Sequence, residues 1–149
     1  MNTIHKLLLA LPFGLLALLA CGQGAWAGQN NTDALRIDSG PISGTANGDM
    51  RTYLGIPYAA PPVGALRWRP PQPVAAWKEV RPCTEFGPAC PQPRQNPNGN
   101  YSEDCLTLNV WTSAKKPGAR LPVMVWIHGG AFNFGASSLP EYHGANLAR

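Results

Sequence analysis

Apolar positions concentrate in one stretch of the chain. Val123 to Ile127 are consecutive apolar residues, with β-branched Val123, Val125 and Ile127, and they run without a polar break into His128-Gly129-Gly130-Ala131. That pattern predicts a strand buried on both faces that ends in a functional loop. Upstream, shorter patterns predict strands over Leu35 to Asp38, Pro41 to Ala46 and Arg51 to Ile56. Asn47-Gly48-Asp49 supplies a hairpin signal between the last two. Leu106 to Thr112 alternates and then runs apolar, as a further strand, and Ala114 to Ala119 forms the turn into Leu121. Beyond Gly135 a loop is expected over Ala136 to Pro140, and a short helix begins at Gly144.

Between Ala59 and Asn100 prolines recur too often for a long helix or a central strand. The segment therefore reads as an ordered, irregular surface coil, with Trp68, Trp77 and Phe86 pinning it to a core beneath.

The first residues change the picture of what the mature chain is. Met1 to Lys6 is weakly basic, and Leu7 to Ala20 is apolar but interrupted by Pro12 and Gly14. A spanning helix needs ~20 apolar residues, so this reads as a secretory leader rather than an anchor. Ala25-Trp26-Ala27 gives a small-x-small cleavage pattern, making residues 1–27 a signal peptide and 28–149 the mature domain. The expected location is secreted or periplasmic. Leu18-Leu19-Ala20-Cys21 offers the alternative of a lipoprotein leader ending before Cys21. A membrane partner is expected only in that case. The net charge of +4 is carried by scattered arginines, which excludes a nucleic-acid surface from the favoured readings.

Cleavage after Ala27 leaves Cys83, Cys90 and Cys105, so one thiol stays unpaired if a disulfide forms. All three could instead be buried thiols. A metal site is disfavoured, because no Cys-x-x-Cys or His-x-x-x-His spacing occurs.

The candidate chemistry lies in the glycine pair. Without Cβ atoms, Gly129 and Gly130 let the backbone bend sharply and let a substrate approach main-chain N–H groups. Gly40 to Gly44 imitates a nucleophile motif but carries Ser43 one place too late for Gly-x-Ser-x-Gly, and no such pentapeptide occurs anywhere between Met1 and Arg149. A phosphate-binding reading of Gly129 to Gly135 fails for want of a lysine or helix start at the right place.

His128-Gly129-Gly130-Ala131-Phe132 after an apolar strand resembles the oxyanion loop of the type-B carboxylesterases, the family that includes cholinesterase-like and para-nitrobenzyl esterase-like enzymes. Ser102-Glu103-Asp104-Cys105-Leu106-Thr107-Leu108-Asn109-Val110 resembles a second signature of that family. Leu54-Gly55-Ile56-Pro57-Tyr58-Ala59, with Pro61-Pro62-Val63-Gly64 and Arg67-Trp68, resembles its N-terminal segment. The order of the three also agrees.

The resemblance implies the α/β class and the α/β-hydrolase fold, of which the chain would carry a truncated N-terminal portion with strands and oxyanion loop but no nucleophile elbow. It implies a serine esterase acting on small-molecule carboxylic esters through an acyl-enzyme, with no cofactor. No catalytic residue would lie within the chain; the serine, the acid and the histidine would lie beyond Arg149, leaving the 149-residue chain alone inactive. Gly130 and Ala131 would supply oxyanion N–H groups, supported by Gly129, by His128 bracing the loop, and by Phe132 lining an acyl pocket. Cys90 would pair with Cys105, and Arg67 with Glu103 in a structural ion pair. Gln95 takes the place of the choline-binding tryptophan of cholinesterases, which argues against a choline ester. The competing expectation is a cholinesterase-like binding or adhesion module, or an inactive remnant, that kept the fold without catalysis.

Overall fold

The computed structural model describes residues 30–93, 99–116 and 118–149. The leader, Cys21 and Gln95 lie outside the described residues. Seven strands are ordered along the described chain: β1 (Asn30–Asn31), β2 (Leu35–Ile37), β3 (Gly40–Ser43), β4 (Thr45–Asn47), β5 (Met50–Pro57), β6 (Arg81–Pro82) and β7 (Thr107–Thr112). They form two sheets, β1-β4-β5-β7 and β2-β3-β6. The first is antiparallel throughout; in the second, β2 runs antiparallel and β6 parallel to β3.

The hairpin expected at Asn47-Gly48-Asp49 is present, with Asn47 opposite Met50 and Gly48 at a φ of 59°. Glycine tolerates that left-handed turn, which connects two strands of matched twist. The strand expected over Pro41 to Ala46 is split at buried Gly44, so its halves enter different sheets. Gly44 donates its N–H to the Thr32 hydroxyl at 2.8 Å, and its carbonyl accepts from Thr32 N–H at 2.9 Å. That exchange pairs the break with the incoming N-terminal segment, so the divided strand leaves no orphaned backbone group at Gly44.

Ile42, Tyr53, Ile56 and Cys83 make the buried core, with Leu35, Ile37 and Trp77 packed against it. The core lies between the sheets because Ile42 belongs to β3 while Tyr53 and Ile56 belong to β5. The proline-rich coil closes it from outside. Trp77 is half-buried and donates its indole N–H to the Pro41 carbonyl at 2.8 Å, and Phe86 packs against Trp111. Trp68 does not act as a pin: it is 95% exposed, at a left-handed φ of 59°, shortly after the 3-10 turn at Gly64–Leu66.

The largest departure concerns the apolar run. Residues 121–127 take no place in either sheet, and Val123 and Ile127 are 85% and 84% exposed. A strand apolar on both faces needs a neighbour along each edge and a layer over each face. Among the described residues none of these neighbouring strands is present, and near the end of the run Trp126 lies 5.7 Å from the Tyr142 ring. The short helix expected at Gly144 is a 3-10 turn over Gly144–Asn146.

Burial pushes the Cys83 thiol above its ordinary 9.0, opposed by the positive charge of Arg81. The folded chain therefore holds this proton to higher pH than the unfolded chain. Stability is complete below 9.0 and falls as pH rises from there through the folded-state value. Urea melts at about pH 8 and about pH 10.5 should show that loss, and Cys83→Ala should flatten the slope between them. The exposed run makes a second prediction: Val123→Ser with Val125→Ser should lower hydrophobic-dye binding and self-association while moving the unfolding free energy by no more than about 0.5 kcal/mol.

Candidate functional site

Loop 128–135 is built around Gly130. Its carbonyl accepts from Asn133 N–H at 2.9 Å and from Phe134 N–H at 3.2 Å, closing a tight turn. Gly130 has a φ of 122°, and a Cβ there would run into the Phe134 carbonyl. Ala131 and Phe132 then take left-handed φ values of 51° and 58°, which for residues with a Cβ costs of order 1–3 kcal/mol each. In this turn the N–H groups of Gly129, Gly130, Ala131 and Phe132 have no hydrogen-bond acceptor among the described residues. Adjacent unpaired main-chain donors are suited to receiving negative charge that develops on an oxygen.

The far end of the loop folds back on its start. A Cβ on Gly135 would sit 2.7 Å from His128 Nδ1 and 2.8 Å from the Gly129 carbonyl oxygen, so only glycine permits this approach. His128 Nδ1 lies 2.9 Å from that same carbonyl, and its ring stacks on Tyr142 at 6.2 Å. Both contacts brace the loop. Among the described residues no hydroxyl or thiol hydrogen-bonds to His128. The Phe132 side chain is fully exposed. Ser43 belongs to β3, and its carbonyl accepts from Cys83 N–H at 2.7 Å, a core role. His143 is exposed, 5.1 Å from the Trp111 ring.

Two residues that sequence reasoning passed over hold the loop from outside. Gln92 donates to the Gly135 carbonyl at 2.9 Å and accepts from Gly135 N–H at 2.8 Å. Asn109, in β7, donates to the Ser137 hydroxyl at 3.1 Å and accepts from Gly55 N–H at 3.0 Å. The available signal was Asn109 itself: asparagine is depleted in strands, and here it interrupts Leu106 to Val110. Gln92 gives no comparable signal, since it lies between prolines in an irregular coil.

The structure joins Cys90 to Cys105 in a disulfide, with Cα atoms 5.2 Å apart, and leaves Cys83 as a free, buried thiol. Arg67 Nε lies 2.7 Å from Glu103 Oε1, linking the coil to the segment that enters β7. With both side chains about half exposed, solvent screens the pair and its contribution is small. No group of His, Cys, Asp and Glu among the described residues could hold a metal ion.

The carboxylesterase family model matches residues 31–149. The chain belongs to this family. It is 45% identical over 115 residues to the fumonisin B1 esterase of Sphingopyxis macrogoltabida, covering 74% of this chain and 21% of that one. The para-nitrobenzyl esterase of Bacillus subtilis is also 45% identical over 115 residues, covering 73% of this chain and 23% of its own. A solved para-nitrobenzyl esterase structure superposes with a TM-score of 0.70 at 45% identity, over 77% of this chain and 24% of that one. The carboxylesterase strands described here are therefore part of an α/β-hydrolase fold, and the chain spans about a quarter of the length of the relatives it matches.

The disulfide gives a prediction. Cys90 and Cys105 are 15 residues apart, and closing a loop of that size contributes about 3 kcal/mol in the chain-entropy picture. Cys90→Ser with Cys105→Ser should lower the unfolding free energy in urea by about that amount, whereas Arg67→Ala should cost under about 1 kcal/mol.

Proposed function

We propose that this chain supplies the oxyanion-binding part of a carboxylic ester hydrolase, with Gly130 and Ala131 presenting their N–H groups to the tetrahedral intermediate. The observation that carries the reading is the turn at Gly130, which leaves adjacent backbone donors without a partner while spending strain at Ala131 and Phe132 to do so. The chemistry runs as acyl transfer. A serine hydroxyl attacks the ester carbonyl, and the carbonyl oxygen takes the electron pair. The N–H donors stabilise that oxygen until the alcohol leaves, and water then releases the acid from the acyl-enzyme. The serine, its histidine and the acid are not supplied by this chain, which contains no Gly-x-Ser-x-Gly. Relatives bearing esterase names support small-molecule esters as the substrate class.

The reading extends to export through residues 1–27, with lipid attachment at Cys21 as the alternative route. The binding-module alternative has less in its favour, because a module that only docks a partner has no need of unpaired donors held in a strained turn.

The test joins this chain to the remaining three quarters of the Bacillus subtilis relative. The chimera is expected to hydrolyse a para-nitrophenyl ester, while the 149-residue chain alone neither does so nor reacts with a fluorophosphonate probe. Gly130→Ala keeps the N–H but puts a Cβ into the Phe134 carbonyl, so the turn must open and swing its donors away from the oxyanion. In the chimera kcat should fall by roughly 100-fold or more, since misplacing one oxyanion donor costs about 2.7–4 kcal/mol. A folded chimera in which Gly130→Ala leaves kcat unchanged would sink the assignment.

A further inference from the structure

We infer that Gln92 is a positioning residue for loop 128–135, and that it holds the oxyanion donors in place by pairing with Gly135; this rests on the reading of Gly130 and Ala131 given above. The Gln92 carboxamide meets Gly135 as one strand meets another, with its N–H2 on the glycine carbonyl at 2.9 Å and its oxygen on the glycine N–H at 2.8 Å. Its second N–H reaches the Cys90 carbonyl at 3.0 Å, so both donors and the acceptor are used.

The backbone of Gln92 is itself anchored. Cys90, two residues before it, is bonded to Cys105, which lies just ahead of β7. Gly135, in turn, packs against His128 and Gly129 at distances that leave no space for a side chain. Fixing Gly135 therefore fixes the first residues of the turn from which Gly130 and Ala131 project. The tether is needed because Ala131 and Phe132 sit in a left-handed conformation that relaxes once the ends of the loop separate.

Amide hydrogen exchange on the 149-residue chain tests the clamp directly. Gln92→Ala should speed exchange at Gly135 by about tenfold or more while leaving the β5–β7 ladder amides, such as Tyr53 and Val110, unchanged. Gln92→Glu should keep an acceptor for Gly135 N–H but lose the donor. Its Gly135 protection should then rise as pH falls through the carboxyl titration, when the acid can again donate. A general loss of packing would produce neither the locality nor the pH dependence. In the chimera, Gln92→Ala should lower kcat by ~10- to 100-fold with little change in KM.

Unchanged Gly135 exchange in Gln92→Ala, or equal acceleration across the β5–β7 ladder, would overturn the proposal. So would accelerated Gly135 exchange with full kcat in a chimera that Gly130→Ala disables. If Gly130→Ala has no effect either, the oxyanion reading fails, whereas the exchange data still decide whether Gln92 fixes the loop.

Discussion

The structure depends on what Asn109 does with a single side chain. Its oxygen accepts the N–H of Gly55, at the irregularity where β5 and β7 slip register between Tyr53 and Ile56. Its nitrogen bonds Ser137, just past the candidate loop. A bulge leaves a ladder group unpaired, and a side chain that satisfies it stabilises the distortion. Here the same side chain carries that fixed point to the loop. The core, the register of the sheet and the placement of residues after Gly135 are thus connected through one carboxamide.

The loop's geometry is imposed from outside rather than favoured by its own sequence. Glycines at 130 and 135 remove steric obstacles, but Ala131 and Phe132 adopt an unfavourable backbone conformation. A conformation of this kind persists only where its surroundings hold it. Gln92 at Gly135 and Asn109 at Ser137 reach the loop from distant parts of the chain. The donors therefore gain their direction from tertiary structure, as preorganised electrostatic sites do.

Local patterns made some of this legible in the sequence. The hairpin at Asn47-Gly48-Asp49 and the strand ending at Thr112 depend on turn chemistry and alternation, which neighbouring residues carry. The glycine pair announced the loop for the same reason. The apolar run at 123–127 was read as buried because composition reports what a strand can bury, whereas burial depends on partners the described residues do not contain. Trp68 was misplaced on similar grounds, since an aromatic ring marks capacity for packing, and this one is exposed at a left-handed backbone position. Gln92 stayed hidden because a side chain that imitates a strand leaves no periodic trace.

The buried thiol of Cys83 has a consequence for connectivity. The three cysteines among the described residues admit three different single pairings, and only Cys90 with Cys105 is found. With Cys83 enclosed beside Ile42 and Tyr53, the two wrong pairings require the core to be open. An oxidant that arrives before collapse meets three choices; one that arrives afterwards meets a single choice. Correct bonding in this chain is accordingly a matter of timing, in which the core acts as a protecting group for its own sulfur.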